Sequence, residues 1–380
     1  MSDTIRYIIS FLLYGHNEMV DKVAYCPVSD KYPNTPIIIA GNGMNEPLHL
    51  PDLSEPQVEC LSDGRYIIHN DWIYNTFFFL SRAEEVLNSQ RDQYGRFIAA
   101  FSILGQEERL LTPLIDTYSQ CLCQLLHIET PAPCYSSIHL THDVDTIEYY
   151  RHLRGAVGGI LRGHLKAIKT SWQDLYNDPA YTFPWLQKLE RPYSVIYFIK
   201  DTPGCGLDYP QYNLHGKDFQ TFLDDTKASN VQYGWHSSAQ ARRLSTTHRS
   251  DIIDYTLHRS HYLNCSIERM QQLVEMGVKD DYTMAFADQA GFRLQTTRPV
   301  RWIHPITKHV TSLTLHPLTA MDVTLSNYMQ LTEEEAIAYM QQLLSTTKHY
   351  HGEVNLLWHN SNINALTYHK HLYPRVLQML

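Results

Sequence analysis

Five short stretches put carboxylates, imidazoles and a guanidinium where chemistry could use them. THDVD carries Asp143 and Asp145, and GWHSSAQ brings a strand-like run to His236. LHRSHY sets Arg259 and His261 two apart, YTMAFADQAGFR contributes Asp288, and LLWHNS closes an apolar run on His359. In extended backbone, residues i and i+2 share a side. Asp143 and Asp145 are therefore expected to face one way, with Val144 turned into the core and His142 alternating away from the site. Carboxylates beside imidazoles suit two kinds of work, holding a divalent cation and moving a proton. Taken singly, each has a plainer use: an Asp pair caps a turn, and a His at a strand end satisfies a backbone group.

Their positions along the chain give the cluster its weight. From Ser137 onward strand-like runs (138–142, 194–199, 231–236, 354–359) alternate with helical candidates (156–170, 217–229, 266–276, 332–347), the last opening on Thr332 and three Glu. Alternating β and α predicts a parallel sheet, open or closed into a barrel. Reactive groups of such sheets gather at the carboxyl ends of the strands, so residues far apart in sequence converge. The Arg259 stretch reads as helix-like. The first part of the chain mixes short strands (36–40, 65–69) with helical spacing over 72–88 and 108–127. The Pro- and Ser-containing ETPAPCYSS, 129–137, marks the boundary between a domain at 1–134 and one at 135–380.

Composition narrows the classes. With 43% hydrophobic and 19% charged residues, the 380-residue chain can bury a core. A net charge of −9 without a long basic run argues against sequence-independent nucleic-acid binding. Seven Cys, an odd number, suggest free thiols in a reducing compartment. The apolar Ile5–Gly15 is too short to span a bilayer and lacks a cleavage site, so it reads as a β-strand of a cytoplasmic protein with no integral membrane segment. Arg242–Arg243 reads as a solvated face.

Taken in order, these motifs resemble the polysaccharide deacetylases, the NodB-homology group of carbohydrate esterase family 4, over about 137–362. THDVD is similar to the branches whose first motif reads Asp-Val-Asp, HSSAQ to the second motif, RSHY to Arg-x-Pro-Tyr, and LLWHNS to the closing Leu-x-Leu-x-His. The resemblance implies a distorted (β/α) barrel with a smaller N-terminal α/β domain, and metal-dependent removal of an acetyl group from an acetylated sugar or glycan. It implies Asp143 as base, His359 as acid, Arg259 orienting Asp143, and Asp288 fixing the His359 tautomer. Asp145 and His236 become ligands of one divalent ion, Zn2+ expected, with Co2+, Ni2+ or Mn2+ as alternatives. Trp235, Tyr262 and Trp358 are the expected sugar-contacting rings.

Two departures bear on that expectation. The second motif's closing His falls at Gln240, and the third motif's Pro is His261. One lost and one gained His in neighbouring motifs suggest that His261 supplies the missing nitrogen, giving two His and one carboxylate. The competing readings are a catalytically degenerate relative that binds or helps assemble glycans, and a mononuclear iron oxygenase, which uses the same ligand set. The N-terminal part is expected to shape the substrate groove or mediate association.

Overall fold

The computed structural model describes residues 1–28, 32–107, 109–202, 206–209, 212–241, 244, 250–364 and 367–380. Among them thirteen strands form two sheets. The small sheet contains β1 (Val23–Cys26), β2 (Ile37–Ala40), β3 (Val58–Cys60) and β4 (Tyr66–Ile68), in the order β1-β2-β4-β3. The large sheet contains β5 (Ser137–Val144), β6 (Ser194–Ile199), β7 (Val231–Ser237), β8 (Asp254–Ser260), β9 (Asp280–Met284), β10 (Val300–Ile303), β11 (Val310–Pro317), β12 (Ala320–Met321) and β13 (Glu353–Leu357). Its order is β10-β11-β9-β8-β7-β6-β5-β13-β12, and every pairing is parallel except β10 with β11.

The sheet curls until β11 approaches β13. His316 of β11 bonds Glu353 of β13 through Nδ1 and Oε1 at 2.8 Å. Both faces are then buried, as the nearly unbroken apolar run of β6 requires. Ile196 and Phe198 pack inward with Leu257 and Tyr282. Val195, Tyr197 and Ile199 face outward into the core shared with the helices. Gly234 of β7 is needed where the Phe198 ring crosses it, because a Cβ there would lie 2.6 Å from that ring.

Several expected elements form as read, including β6, and the helix Glu333–His349 with a Thr332–Glu335 capping box. Three do not. Ile5–Gly15 is no strand: Asp3–Leu12 is a helix, because Thr4, Ile8, Ile9 and Leu12 fall inward at helical spacing and Ser2 caps its start. The Arg259 stretch is strand β8, zipped between β7 and β9. The candidate 156–170 is two helices, Leu153–Leu161 and Leu165–Gln173, broken at Gly163 with φ +78.

The large sheet begins at Ser137, after the expected connector, but the apolar core runs on through both parts of the chain. Buried charges lock them together. Glu85 accepts from Arg82 and Arg293, and Arg82 also donates to the Cys265 carbonyl at 2.6 Å. Asp116 accepts from the hydroxyls of Thr296 and Thr297 and from Arg298.

Candidate functional site

The parallel strands bring their carboxyl ends to one rim. There Asp145, His236 and His261 offer ligand atoms that all lie within 4.8 Å of one another. Asp145 Oδ1 is 3.1 Å from His261 Nε2 and 3.5 Å from His236 Nε2. Asp143 and Asp145 do share a side, since Asp143 Oδ2 stands 3.6 Å from the same His236 nitrogen. Val144 is buried in the core, and His142 points away, bonded to Glu190 and to the Trp358 carbonyl.

The hydrogen bonding of His236 decides what this cluster suits. Its Nδ1 faces the Arg259 carbonyl at 3.1 Å, and a carbonyl only accepts, so the proton sits on Nδ1. Burial holds the imidazole below its ordinary pKa and hence neutral, against the opposing pull of Asp143 and Asp145. Nε2 is therefore a buried lone pair with no hydrogen-bond partner, facing two carboxylates. Three electron-rich groups pointed at one another fit a cation between them.

His261 is held in the matching way. Its Nδ1 donates to Asp208 Oδ1 at 2.9 Å, which directs Nε2 at Asp145. Asp208 also accepts from the Ser238 hydroxyl and from the Ala239 amide. Burial pushes the Asp208 carboxyl up, but the bonds from His261, Ser238 and Ala239 outweigh it and hold it well below the usual range. Burial lowers the His261 pKa while the charge of Asp145 raises it, and the net shift is upward. A cation arriving at Nε2 would therefore displace a proton. Gln240, at the position of the second motif's closing His, lies exposed beyond β7 and outside this group.

Lys200, directly after β6, completes the charge pattern. Its buried ammonium is 2.7 Å from Asp145 Oδ1. Burial pushes the Asp145 carboxyl up, yet His261 and Lys200 together hold it well below its ordinary value. Asp143 is buried, with Arg259 Nη1 3.7 Å from its Oδ1; the guanidinium is fixed by donating to Thr141 Oγ1 at 2.8 Å and by lying over the Phe198 ring.

His359 follows β13 and turns Nε2 to within 3.7 Å of Asp145 Oδ2. Its Nδ1 is bonded at 2.8 Å to Asp322, which is fully buried after β12. Burial lowers the imidazole pKa, but Asp322 and then Asp145 and Asp143 raise it to about 9. His359 is thus a protonated donor at neutral pH.

Three expected site residues lie elsewhere. Asp288 does not orient His359; its oxygens accept from the amides of Ala99 and Ala100, 2.7 and 3.2 Å away, and Asp322 holds the position beside His359. Trp235 and Trp358 immediately precede the two site histidines, and strand alternation sends them to the opposite, buried face. Trp235 donates to Asp201 at 3.0 Å, and Trp358 packs on Tyr373, so neither can stack on a sugar. Tyr262 lines a cleft of about 340 Å³ together with Asp143, Asp145, His261 and His359.

Tyr149, Tyr209 and Tyr328 also line that cleft, as does Arg96 from the N-terminal part. Arg96 pairs with Asp92 and donates to the Tyr262 carbonyl and the Tyr328 hydroxyl, so the N-terminal part shapes the groove. Arg242–Arg243 lies outside the described residues. The sequence reading missed Lys200, Asp208, Asp322 and Arg96. Lys200 obeys the strand-end rule that found Asp143 and His236, and SVIYFIK carried that signal. The other three follow no long strand-like run.

Residues 19–131 match the model of a family described as a family of unknown function (DUF7033). That segment includes the small sheet and Arg96, and none of the residues at the strand-end rim. Neither a curated protein nor a solved structure matches the chain.

Proposed function

We propose that the chain is a metal-dependent hydrolase of the polysaccharide-deacetylase type, built on that family's distorted (β/α) barrel, and that it removes an acetyl group from an acetylated sugar. The observation carrying this reading is the His236 lone pair, buried against Asp143 and Asp145 beside the Asp208-oriented His261. Asp145, His236 and His261 would hold one divalent cation, and two imidazoles with one carboxylate suit Zn2+. Such a cation would polarise the acetyl carbonyl and acidify a water.

The chain's own groups supply the proton transfers. Asp143, which lines the cleft, takes the proton of the attacking water, with Arg259 orienting the carboxylate. His359 Nε2 gives its proton to the departing amine or alkoxide, and Asp322 fixes the tautomer that presents it. The rings of Tyr149, Tyr209, Tyr262 and Tyr328 give the cleft the apolar faces on which sugar rings stack.

One contact favours a second reading. Lys200 already neutralises the oxygen of Asp145 that a metal would take, as expected of a glycan-binding relative without hydrolysis. Acetate release from a panel of N- and O-acetylated saccharides, with Zn2+ and after chelation, separates the two. Chelator-sensitive release abolished by Asp143→Asn supports the hydrolase; saccharide binding without release or bound metal supports the binder.

A further inference from the structure

The helical pair Leu153–Leu161 and Leu165–Gln173 is built inside out. On the first helix Leu153, Val157, Ile160 and Leu161 follow the i, i+4, i+7, i+8 spacing of one face, and all four are exposed, Leu153 at 80% and Leu161 at 83%. The opposite side is closed by glycine: a Cβ on Gly159 would meet Ile168 and Tyr150 at 2.8 Å. Leu165 and Trp172, seven residues apart on the second helix, extend the exposed apolar strip.

Charge accompanies the strip. Residues 151–173 hold five Lys or Arg and no Asp or Glu, in a chain of net charge −9. Arg151 is paired with Asp218, while Arg154, Arg162, Lys166 and Lys169 are exposed around the aliphatic face. Large aliphatics and a Trp on one face, ringed by cations, form a surface that settles into the headgroup layer of an anionic bilayer.

The pair also borders the cleft. It follows Asp145 after a seven-residue link in which Tyr149 lines the cleft, and the Arg154 guanidinium lies 4.6 Å over the ring of Tyr209, another lining residue. We propose that residues 153–173 dock the protein on an anionic membrane surface with the cleft opening at headgroup level. Resting on the hydrolase reading above, this makes an acetylated sugar carried on a lipid the substrate class.

Co-sedimentation of the full chain with phosphatidylglycerol–phosphatidylcholine vesicles tests the docking. Binding is expected to the mixed vesicles and not to phosphatidylcholine alone, and to weaken at least tenfold in high salt. Leu153→Ser with Leu161→Ser is expected to weaken it by about tenfold or more. Trp172 is the exposed tryptophan, so vesicles should shift its emission to the blue in the intact chain and not after Trp172→Phe. No binding, binding untouched by these changes, or a dimer that buries the strip instead would overturn the proposal. Acetate release is compared for an N-acetylglucosamine-headed glycolipid in the same vesicles and for soluble N,N′-diacetylchitobiose. Vesicle binding with no release from either leaves the docking standing and removes the hydrolase reading. Release from diacetylchitobiose without vesicle binding does the reverse.

Discussion

Asp322 clamps His359 at two points: Oδ1 accepts from the ring Nδ1 at 2.8 Å, and Oδ2 from the backbone amide at 2.9 Å. The ring therefore cannot turn without breaking a bond to a fully buried carboxylate. Asp322→Asn keeps the shape and removes the charge that raises the imidazole pKa. A general acid fails as pH rises through its pKa, so the alkaline limb of the rate profile is expected to move to lower pH in the variant. The kcat for acetate release is expected to fall by roughly 10- to 100-fold. Rate profiles of both proteins check this, and an unmoved limb would remove His359 as the acid.

Lys200 holds the Asp145 oxygen that the proposed metal ion would take. Lys200→Met is expected to destabilise the metal-free protein, by leaving Asp145 short of a countercharge, and to tighten Zn2+ binding by about tenfold, or ~1.4 kcal/mol. Thermal melts with and without Zn2+ check both halves at once, since the metal-induced rise in Tm should be larger in the variant.

The N-terminal part should not be separable. Glu85→Gln leaves the buried Arg82 and Arg293 guanidiniums without their anion and is expected to cost about 3–5 kcal/mol in urea unfolding. Deleting residues 1–134 removes Glu85 and Asp116 together and bares the core face beneath them, so the remainder is expected to be insoluble. A soluble and active fragment would contradict this.

A second buried cluster, at the opposite end of the strands, sets a pH dependence of stability. His316 lies between Glu353 and Asp280, with His139 on the far side of Glu353 and the Tyr282 ring stacked on the imidazole. Burial alone would lower the His316 pKa, but the bonds to Asp280 and Glu353 raise it to about 9. Its stabilisation is therefore full below its unfolded value, about 6.5, and is lost as pH rises through 9. Burial raises and the two histidines lower the Glu353 pKa, to about 2, so its share is lost as pH falls from 4.5 through 2. His316→Gln is expected to cost roughly 3 kcal/mol near pH 6 and much less above pH 9, read from urea melts across that range.

What was legible followed from local rules. SVIYFI and THDVD announce buried parallel strands by composition, and the strand-end rule places Asp143, Asp145, His236 and His359 on one rim. The same alternation, applied to the residue before each histidine, turns Trp235 and Trp358 away from the site. At Ile5–Gly15 apolar content outweighed spacing, and the inward Ile8, Ile9 and Leu12 were the better guide. Asp322 and Asp208 are not legible, because each gains its role only when strand pairing sets separate loops side by side, as β12 against β13 sets Asp322 beside His359. Motif order points to Asp288, whereas the carboxylate beside His359 is Asp322, which the topology delivers.

If Asp145, His236 and His261 hold one cation, isothermal titration of the chelator-treated protein with Zn2+ reads it. The expected result is saturation at one equivalent, lost or weakened at least 100-fold in His236→Ala and His261→Ala, and unchanged in Gln240→Ala. Absence of a saturable site, or binding that survives both histidine substitutions, would contradict it.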